Sequence, residues 1–290
     1  MFNSKKKHTL LLFIAIFTML LSLGLLSYPF ISNYIVEKNC SEIRTEYYET
    51  VENVDNNMIK EILETARKYN ASLNSICFEN DSTKYAQTNY NDILNINGDG
   101  IMGYVEIPKI NVYLPIYHGT GAESLNNGVG HLLGSSLPVG GSGTHTILTG
   151  HSGVVGKRLF SDLEQLAVGD VFYLHILNEK LVYQVTEIHT VEPSDTSYLT
   201  LKQGKDRCTL ITCTPFGVNT HRLLVQADRV SSSDVQQLLN TDKQSFKVLS
   251  ATWGKQYCMG LLYGGLILVG LISVCVTIRR LKAKIVNSNA

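Results

Sequence analysis

The chain has 290 residues, enough for one or two domains with real cores, and its 25 Lys and Arg balance 25 Asp and Glu. With no net charge and a pI near 7.1 there is no basic field to hold a phosphate backbone, which argues against a nucleic-acid-binding protein. A mean hydropathy of +0.04 is high for a soluble protein, and the apolar residues gather at the two ends.

Residues 1–8 form a short basic tail with Lys5, Lys6 and Lys7, and residues 9–31 carry no charge. Residues 258–278 are also uncharged, and Arg279, Arg280, Lys282 and Lys284 follow them in the tail 279–290. Each run is long enough to cross a hydrocarbon core roughly 30 Å thick. The positive-inside bias puts both termini in the cytoplasm and residues 32–257 outside the cell membrane. A cleaved signal peptide is the rival for the first span. Its apolar stretch is longer than the usual signal core and no clear A-x-A site follows, so a retained signal anchor is expected. No Leu-Pro-x-Thr-Gly precedes the second span, so it is expected to stay as an anchor too.

Residues 32–75 form a helical N-terminal segment. Ile43, Tyr47, Val51, Met58, Ile62, Ala66 and Tyr69 recur in steps of three, four and seven, and "NVDNN" should break the pattern. Residues 76–100 are polar, a lid-like region and loop ending in "NINGDG". Its Asn and Asp spacing is that of a calcium loop without the downstream bidentate Glu, and so reads as a plain turn.

From residue 101 the texture is β: seven short runs rich in Val, Ile, Tyr and Thr, separated by Gly, Asn, Asp and Pro. Asn178, Glu179 and Lys180 mark a hairpin turn, and residues 159–166 read as one short helix ended by Gly169. Seven or more strands with few helices imply a closed or nearly closed β-barrel over residues 101–230. Residues 231–257 return the chain to the membrane as a linker.

The six cysteines include no C-x-x-C pair, which argues against a zinc ribbon or a thioredoxin-like site. Cys40 and Cys77 could pair outside the cell, though their spacing does not require it. Cys258 and Cys275 read as small apolar residues of the second span. Cys208 and Cys213 are five apart on one strand and so face opposite ways.

Cys213 ends its run and is followed by a turn with Pro215 and Gly217, at a barrel rim. A lone cysteine is most often simply buried. A thiol with an ordinary pKa near 8.5 needs a cationic neighbour to become a useful thiolate. His221 and Arg222 lie on the strand after the turn; neighbours face opposite ways, so one of them faces Cys213, and pairing alone does not choose. Arg is the better permanent donor to an oxyanion. Among the histidines, His151 stands out in "ILTGHSG", at a strand end with glycines on both sides. His118, His131, His145, His175 and His189 have no such context and read as surface or satisfied polar residues.

Together, "TGHSG" at 149–153, "TLITC" at 209–213 and Arg222 nine residues later resemble the sortase signature, in the order His, Cys, Arg. The likeness runs from about residue 90 to 230, through "NGDGIMGYVEIPKI", "GVGHLLGSSLPVGG" and "TCTPFGVNTHRLL", and with the helical N-terminal part and C-terminal span it is similar to class C sortases, the pilin polymerases of Gram-positive bacteria.

The resemblance implies a mainly β fold, the sortase eight-stranded β-barrel with short helices, beside the N-terminal helical segment and a transmembrane helix at each end. It implies that Cys213 attacks the Thr–Gly bond of a Leu-Pro-x-Thr-Gly-like sorting signal and that His151 is its acid/base partner. Arg222 would hold substrate and stabilise the oxyanion, with Thr149, Gly150 and Thr212 contacting substrate. The implied partners are pilin or surface proteins carrying a sorting signal, with a pilin lysine as acceptor. No cofactor and no metal is implied. Class C enzymes usually carry a lid with an Asp-Pro-aromatic anchor over the cysteine; here no proline lies between Pro29 and Pro108. Phe78, Tyr85 and Tyr90 lack the flanking pattern, so an open or loosely covered groove is expected. The competing readings are a sortase that anchors proteins to cell-wall precursor and a non-catalytic, membrane-tethered peptide-binding or adhesin domain.

Overall fold

A computed structural model describes residues 4–73, 90–154, 156–231, 234 and 262 of the chain. The chain divides into two compact units, Met1–Gln244 and Ser245–Ala290, and every element below belongs to the first.

Two helices lead in, α1 (Ser4–Asn53) and α2 (Asn56–Leu73). The break falls at Val54 and Asp55, where Asp and Asn side chains compete with the helix for backbone groups. α2 buries a stripe of Ile59, Leu63, Ala66, Tyr69 and Leu73, the spacing of one helical face. Two polar clamps seat the helices. Tyr47 of α1 donates its hydroxyl to Met102 O at 3.2 Å and accepts the Leu177 N–H at 2.9 Å. Asn70 of α2 donates to Leu137 O at 3.1 Å and accepts the Leu137 N–H at 2.7 Å.

The eight strands are β1 (Ile101–Ile107), β2 (Val112–His118), β3 (Val129–His131), β4 (Thr144–Thr149), β5 (Val171–Ile176), β6 (Glu179–Val191), β7 (Asp206–Thr214) and β8 (His221–Arg229). They close into a barrel in the order β1-β2-β3-β4-β7-β8-β6-β5. The β2–β3 and β4–β7 pairs are parallel and the others antiparallel. β6 spans two neighbours, pairing with β5 through residues 179–184 and with β8 from Tyr183 onward, with an irregularity between Val185 and Glu187. Such a bulge bends and twists a strand, which lets one strand turn a barrel corner. Inward side chains including Val105, Ile116, Phe172, Leu174, Tyr183, Leu210 and Val225 fill the interior, while Tyr104, opposite His175, packs on the outer face against Tyr47 and Tyr48 of α1.

The barrel and the break between α1 and α2 match the sequence expectation; smaller features depart from it. The expected helix over 159–166 reduces to turns and a 3-10 segment, Leu163–Gln165. Leu159 has φ 39°, outside the helical region, and Phe160, Leu163 and Leu166 are all buried. Apolar residues every three positions suit three residues per turn. The hairpin turn is Leu177–Asn178, with Glu179 and Lys180 already paired in β6. β3 and the helix α3 (Ala122–Asn127) carry no legible pattern, being three and six residues long. In the turn before β1, Asn95 Oδ1 accepts the Gly100 N–H and Asp99 Oδ1 accepts that of Ile101.

Residues 9–31 are helical within α1, with part of their side chains outside the described residues; among the described residues no helix is long and apolar enough to cross a membrane. The second expected span, apart from Leu262, lies outside the described residues, as do residues 76–89 of the lid-like region, Cys77 among them.

Two histidines sit neutral inside this frame. His131 bonds Tyr90 Oη and Ser136 O, and His145 bonds Thr209 Oγ1 and Thr200 O. Burial depresses each to a pKa of about 4. In the unfolded chain they would bind protons near pH 6.5. Stability from them is therefore present above about pH 6.5 and lost as pH falls toward 4, on the order of 2–3 kcal/mol each. Denaturant unfolding at pH 7.5 and pH 5 should show a clear loss at the lower pH. His145→Gln should flatten that dependence.

Candidate active site

Cys213 lies one residue from the end of β7 and is directly opposite Arg222 of β8. Residues opposite one another on paired strands share a face, so the guanidinium and the thiol stand on the same side of the sheet. His221 pairs with Thr214 and faces the other way, where it meets Glu192 at 3.2 Å. The register therefore makes the choice that the sequence left open. Cys208 has the opposite parity and is fully buried, its thiol pushed up by loss of water. Cys213 is only half-buried.

His151 arrives by a different route. β4 runs parallel to β7 with Thr149 opposite Ile211, and the ladder continues beyond the strand end. The Gly150 N–H donates to Ile211 O at 3.0 Å, and Thr212 Oγ1 donates to Gly150 O at 2.8 Å. His151 is the next residue, one beyond the last that is tied to β7. The loops also meet: a Cβ on Gly153 would lie 3.3 Å from Gly217 N in the turn after Cys213. Cys213, Arg222 and Val191 thus form one row across β7, β8 and β6, and His151 follows two residues beyond the end of β4. Among the described residues the His151 ring and the Cys213 thiol have no hydrogen-bond partner and are not bonded to each other. Catalytic bonds are often long or absent in free sites and tighten on substrate.

Arg222 donates through Nη1 to His221 O at 3.0 Å and Asn219 O at 3.3 Å, which orients the fork against the β7–β8 turn. Among the described residues it makes no ion pair, so its charge is not cancelled by a carboxylate. A charged, oriented donor beside a thiol is the arrangement needed where negative charge develops on a carbonyl oxygen. Thr149 is half-buried at the end of β4 and Gly150 is buried. Thr212 is 2% exposed and faces away from Cys213, and its hydroxyl supports the strand end that carries His151.

Other supports had no readable signal in the sequence. Thr214 donates its hydroxyl to Glu164 at 2.5 Å, tying the residue after Cys213 to the 3-10 turn at 163–165. Tyr198, in the connection between β6 and β7, stacks on His189 with ring centres 4.1 Å apart. Tyr90, one of the aromatics considered as a cover for the cysteine, is buried instead against Tyr69, His118 and His131. A cavity of about 570 Å³ opens at the far end of β7 and β8, lined by Arg67, Asn70, Gly140, Asp206 and Arg229. Another of about 240 Å³ lies between α1 and β2. Neither contains a member of the row. No cluster of three or more His, Cys, Asp or Glu among the described residues is placed to hold a metal ion.

Residues 105–230 match the family model described as a sortase domain. Sortase D of Bacillus subtilis is 36% identical over 132 residues, covering 44% of this chain and 64% of that relative. The crystal structure of sortase C1 from Streptococcus agalactiae superposes with a TM-score of 0.63 at 47% identity, covering 66% of this chain and 99% of that one. Sortase C of Streptococcus pneumoniae gives 0.58 at 40% identity, covering 66% and 97%. The chain spans only 64% and 52% of the length of the first two curated relatives it matches.

The two barrel cysteines should differ sharply toward iodoacetamide. In the folded protein Cys213 should be alkylated and Cys208 protected, and denaturant should release Cys208, as peptide mass mapping would report. Protection of both in the native state would show that the groove is covered.

Proposed function

Because the chain belongs to the sortase family, we propose that it is a membrane-anchored cysteine transpeptidase that cuts a Leu-Pro-x-Thr-Gly-like signal between Thr and Gly and joins the new acyl end to a lysine of a pilin subunit. The observation that carries this reading is the half-buried Cys213 directly opposite Arg222 near the end of β7, with Gly150, the residue before His151, tied to Ile211 and Thr212 of the same strand.

The chemistry follows from these three residues. His151 takes the thiol proton of Cys213 as Sγ attacks the threonine carbonyl carbon, and the electron pair displaced onto oxygen is held by the Arg222 fork. Collapse of this intermediate breaks the C–N bond, and His151 gives a proton to the departing glycine amine. The result is a thioester at Cys213. An incoming lysine amine then attacks the same carbon, His151 takes its proton, and the C–S bond breaks to leave an isopeptide bond and a free Cys213. The steps are acyl transfers throughout, with no change of oxidation state. Thr149 and the Gly150 peptide border the path of the substrate, while Thr212 holds the His151 strand end.

Pilin as substrate is supported by the class C relatives among the solved structures, one of them discussed in terms of pilin substrate specificity. Another, sortase C of Clostridium perfringens, was solved with a C-terminal cell wall sorting motif. Wall anchoring is the second reading, kept because the curated relatives are named sortases A and D, not C. Membrane attachment is supported by the uncharged run 9–31, which as helix spans roughly 34 Å. Phe13, Phe17, Leu20, Leu23 and Leu25 all point outward from α1 with no protein to cover them.

Intact-mass measurement after mixing the protein with a sorting-signal peptide should show an acyl adduct on the wild type and none on Cys213→Ala. Arg222→Lys should slow adduct formation by about 10²-fold, since Lys lacks the planar fork. A retained rate would remove the oxyanion role. Incubation with a pilin should give covalent ladders; transfer only to wall-precursor amines would support the anchoring reading.

A further inference from the structure

His151 lies outside any strand, so its ring is aimed by the loop that follows it. That loop is tied at its neck. The Phe160 N–H donates to His151 O at 3.0 Å, and the Gly153 N–H donates to Ser161 Oγ at 3.1 Å. The fully buried Phe160 ring packs so closely under Gly150 that a Cβ there would lie 2.8 Å from it. The far side of the loop rests on α1. At Gly156, with φ +77°, a Cβ would lie 2.4 Å from Ser32 Oγ and 2.7 Å from Ser32 Cβ, with the Tyr28 ring 3.9 Å away. Only glycine meets both the left-handed backbone and that approach. Next to it, Lys157 Nζ donates to Asn126 O at 2.7 Å, and Arg158 and Leu159 share the smaller cavity with Val36, Cys40 and Arg44 of α1.

We propose that α1 is a positioning element of the catalytic site: through the Ser32–Gly156 contact it holds the loop that orients His151 toward Cys213. The neck fixes the two ends of the loop, and ordering the chain between them costs entropy that the contact with α1 offsets. A displacement of about 1 Å in a reacting group can reduce turnover by about 10²-fold. Ser32 and Gly156 touch neither substrate nor reacting atoms, so they are positioning residues. The inference deepens the proposed role of His151 and rests on that reading.

The test uses the full chain in lipid nanodiscs. Ser32→Trp would push Gly156 away, Ser32→Ala leaves room for it, and Tyr34→Trp, at a side chain 66% exposed, is the control for bulk on α1. Two quantities are read: the rate of Cys213 thioester formation with a sorting-signal peptide, and the pH dependence of Cys213 alkylation by iodoacetamide. The second needs no substrate, so it still reports if the peptide is not accepted, a failure that would count against the proposed function alone. Tyr34→Trp should match the wild type in both, and Ser32→Ala, which removes the Oγ nearest Gly156, should fall between the wild type and Ser32→Trp. Ser32→Trp should lower kcat about 10- to 100-fold with KM within about twofold, and its alkylation profile should move to that of His151→Ala while Tm stays unchanged. A wild-type alkylation profile in Ser32→Trp would overturn the proposal. If Ser32→Trp does not fold, Ser32→Val probes the same contact with less bulk, and the same outcomes decide.

Discussion

The alignment of β4, β7 and β8 is the constraint on which the site depends. The end of β4 that leads into His151 is aligned with β7 by a parallel ladder, Cys213 is set opposite Arg222 by an antiparallel one, and β7 is the strand common to both. A slip of one residue in either ladder would turn a side chain to the opposite face. The register is held by the buried alternation of β7, where Cys208 and Leu210 enter the core and Cys213 does not. It is held again at the strand end by the Thr212 hydroxyl on Gly150. Chemistry at the surface thus inherits its geometry from packing within.

Packing around the barrel relies on polar side chains buried with partners. Tyr47, Asn70 and His145 each bond a backbone group from a distant part of the chain, and His131 bonds Ser136 O five residues on and the distant Tyr90 hydroxyl. Unmet, those groups would each cost on the order of 1–3 kcal/mol; met, they permit one placement of a helix or loop and penalise others. Burial that secures these contacts also keeps the two histidines neutral, so the same feature that specifies the fold makes it sensitive to acid.

The helices are part of the same arrangement. α1 seats Tyr47 against β1 and the β5–β6 turn, and one turn after another it follows the barrel wall back to Ser32, where it meets the loop behind His151. A segment that by composition reads as an anchor therefore has a face directed at the catalytic end of the barrel.

Local chemistry left a clear trace in the order of residues. Runs of β-branched and aromatic residues between turn formers announced seven of the eight strands, and the apolar steps in 43–69 announced the helices with their break at Asp55. "TGHSG" and "TLITC" marked His151 and Cys213 because each closes a strand-like run beside glycine or proline. β3 escaped notice because three residues carry no period, and the stretch 159–166 passed for a helix because its apolar spacing suits a 3-10 turn as well as an α-helix. Tertiary structure alone decided that Arg222 rather than His221 faces the cysteine, that Thr212 supports a strand instead of lining the groove, and that Gly156 rests on α1. Each of those outcomes depends on register or contact between segments distant along the chain, and such pairings are selected by the packing of the whole barrel, which no local pattern encodes.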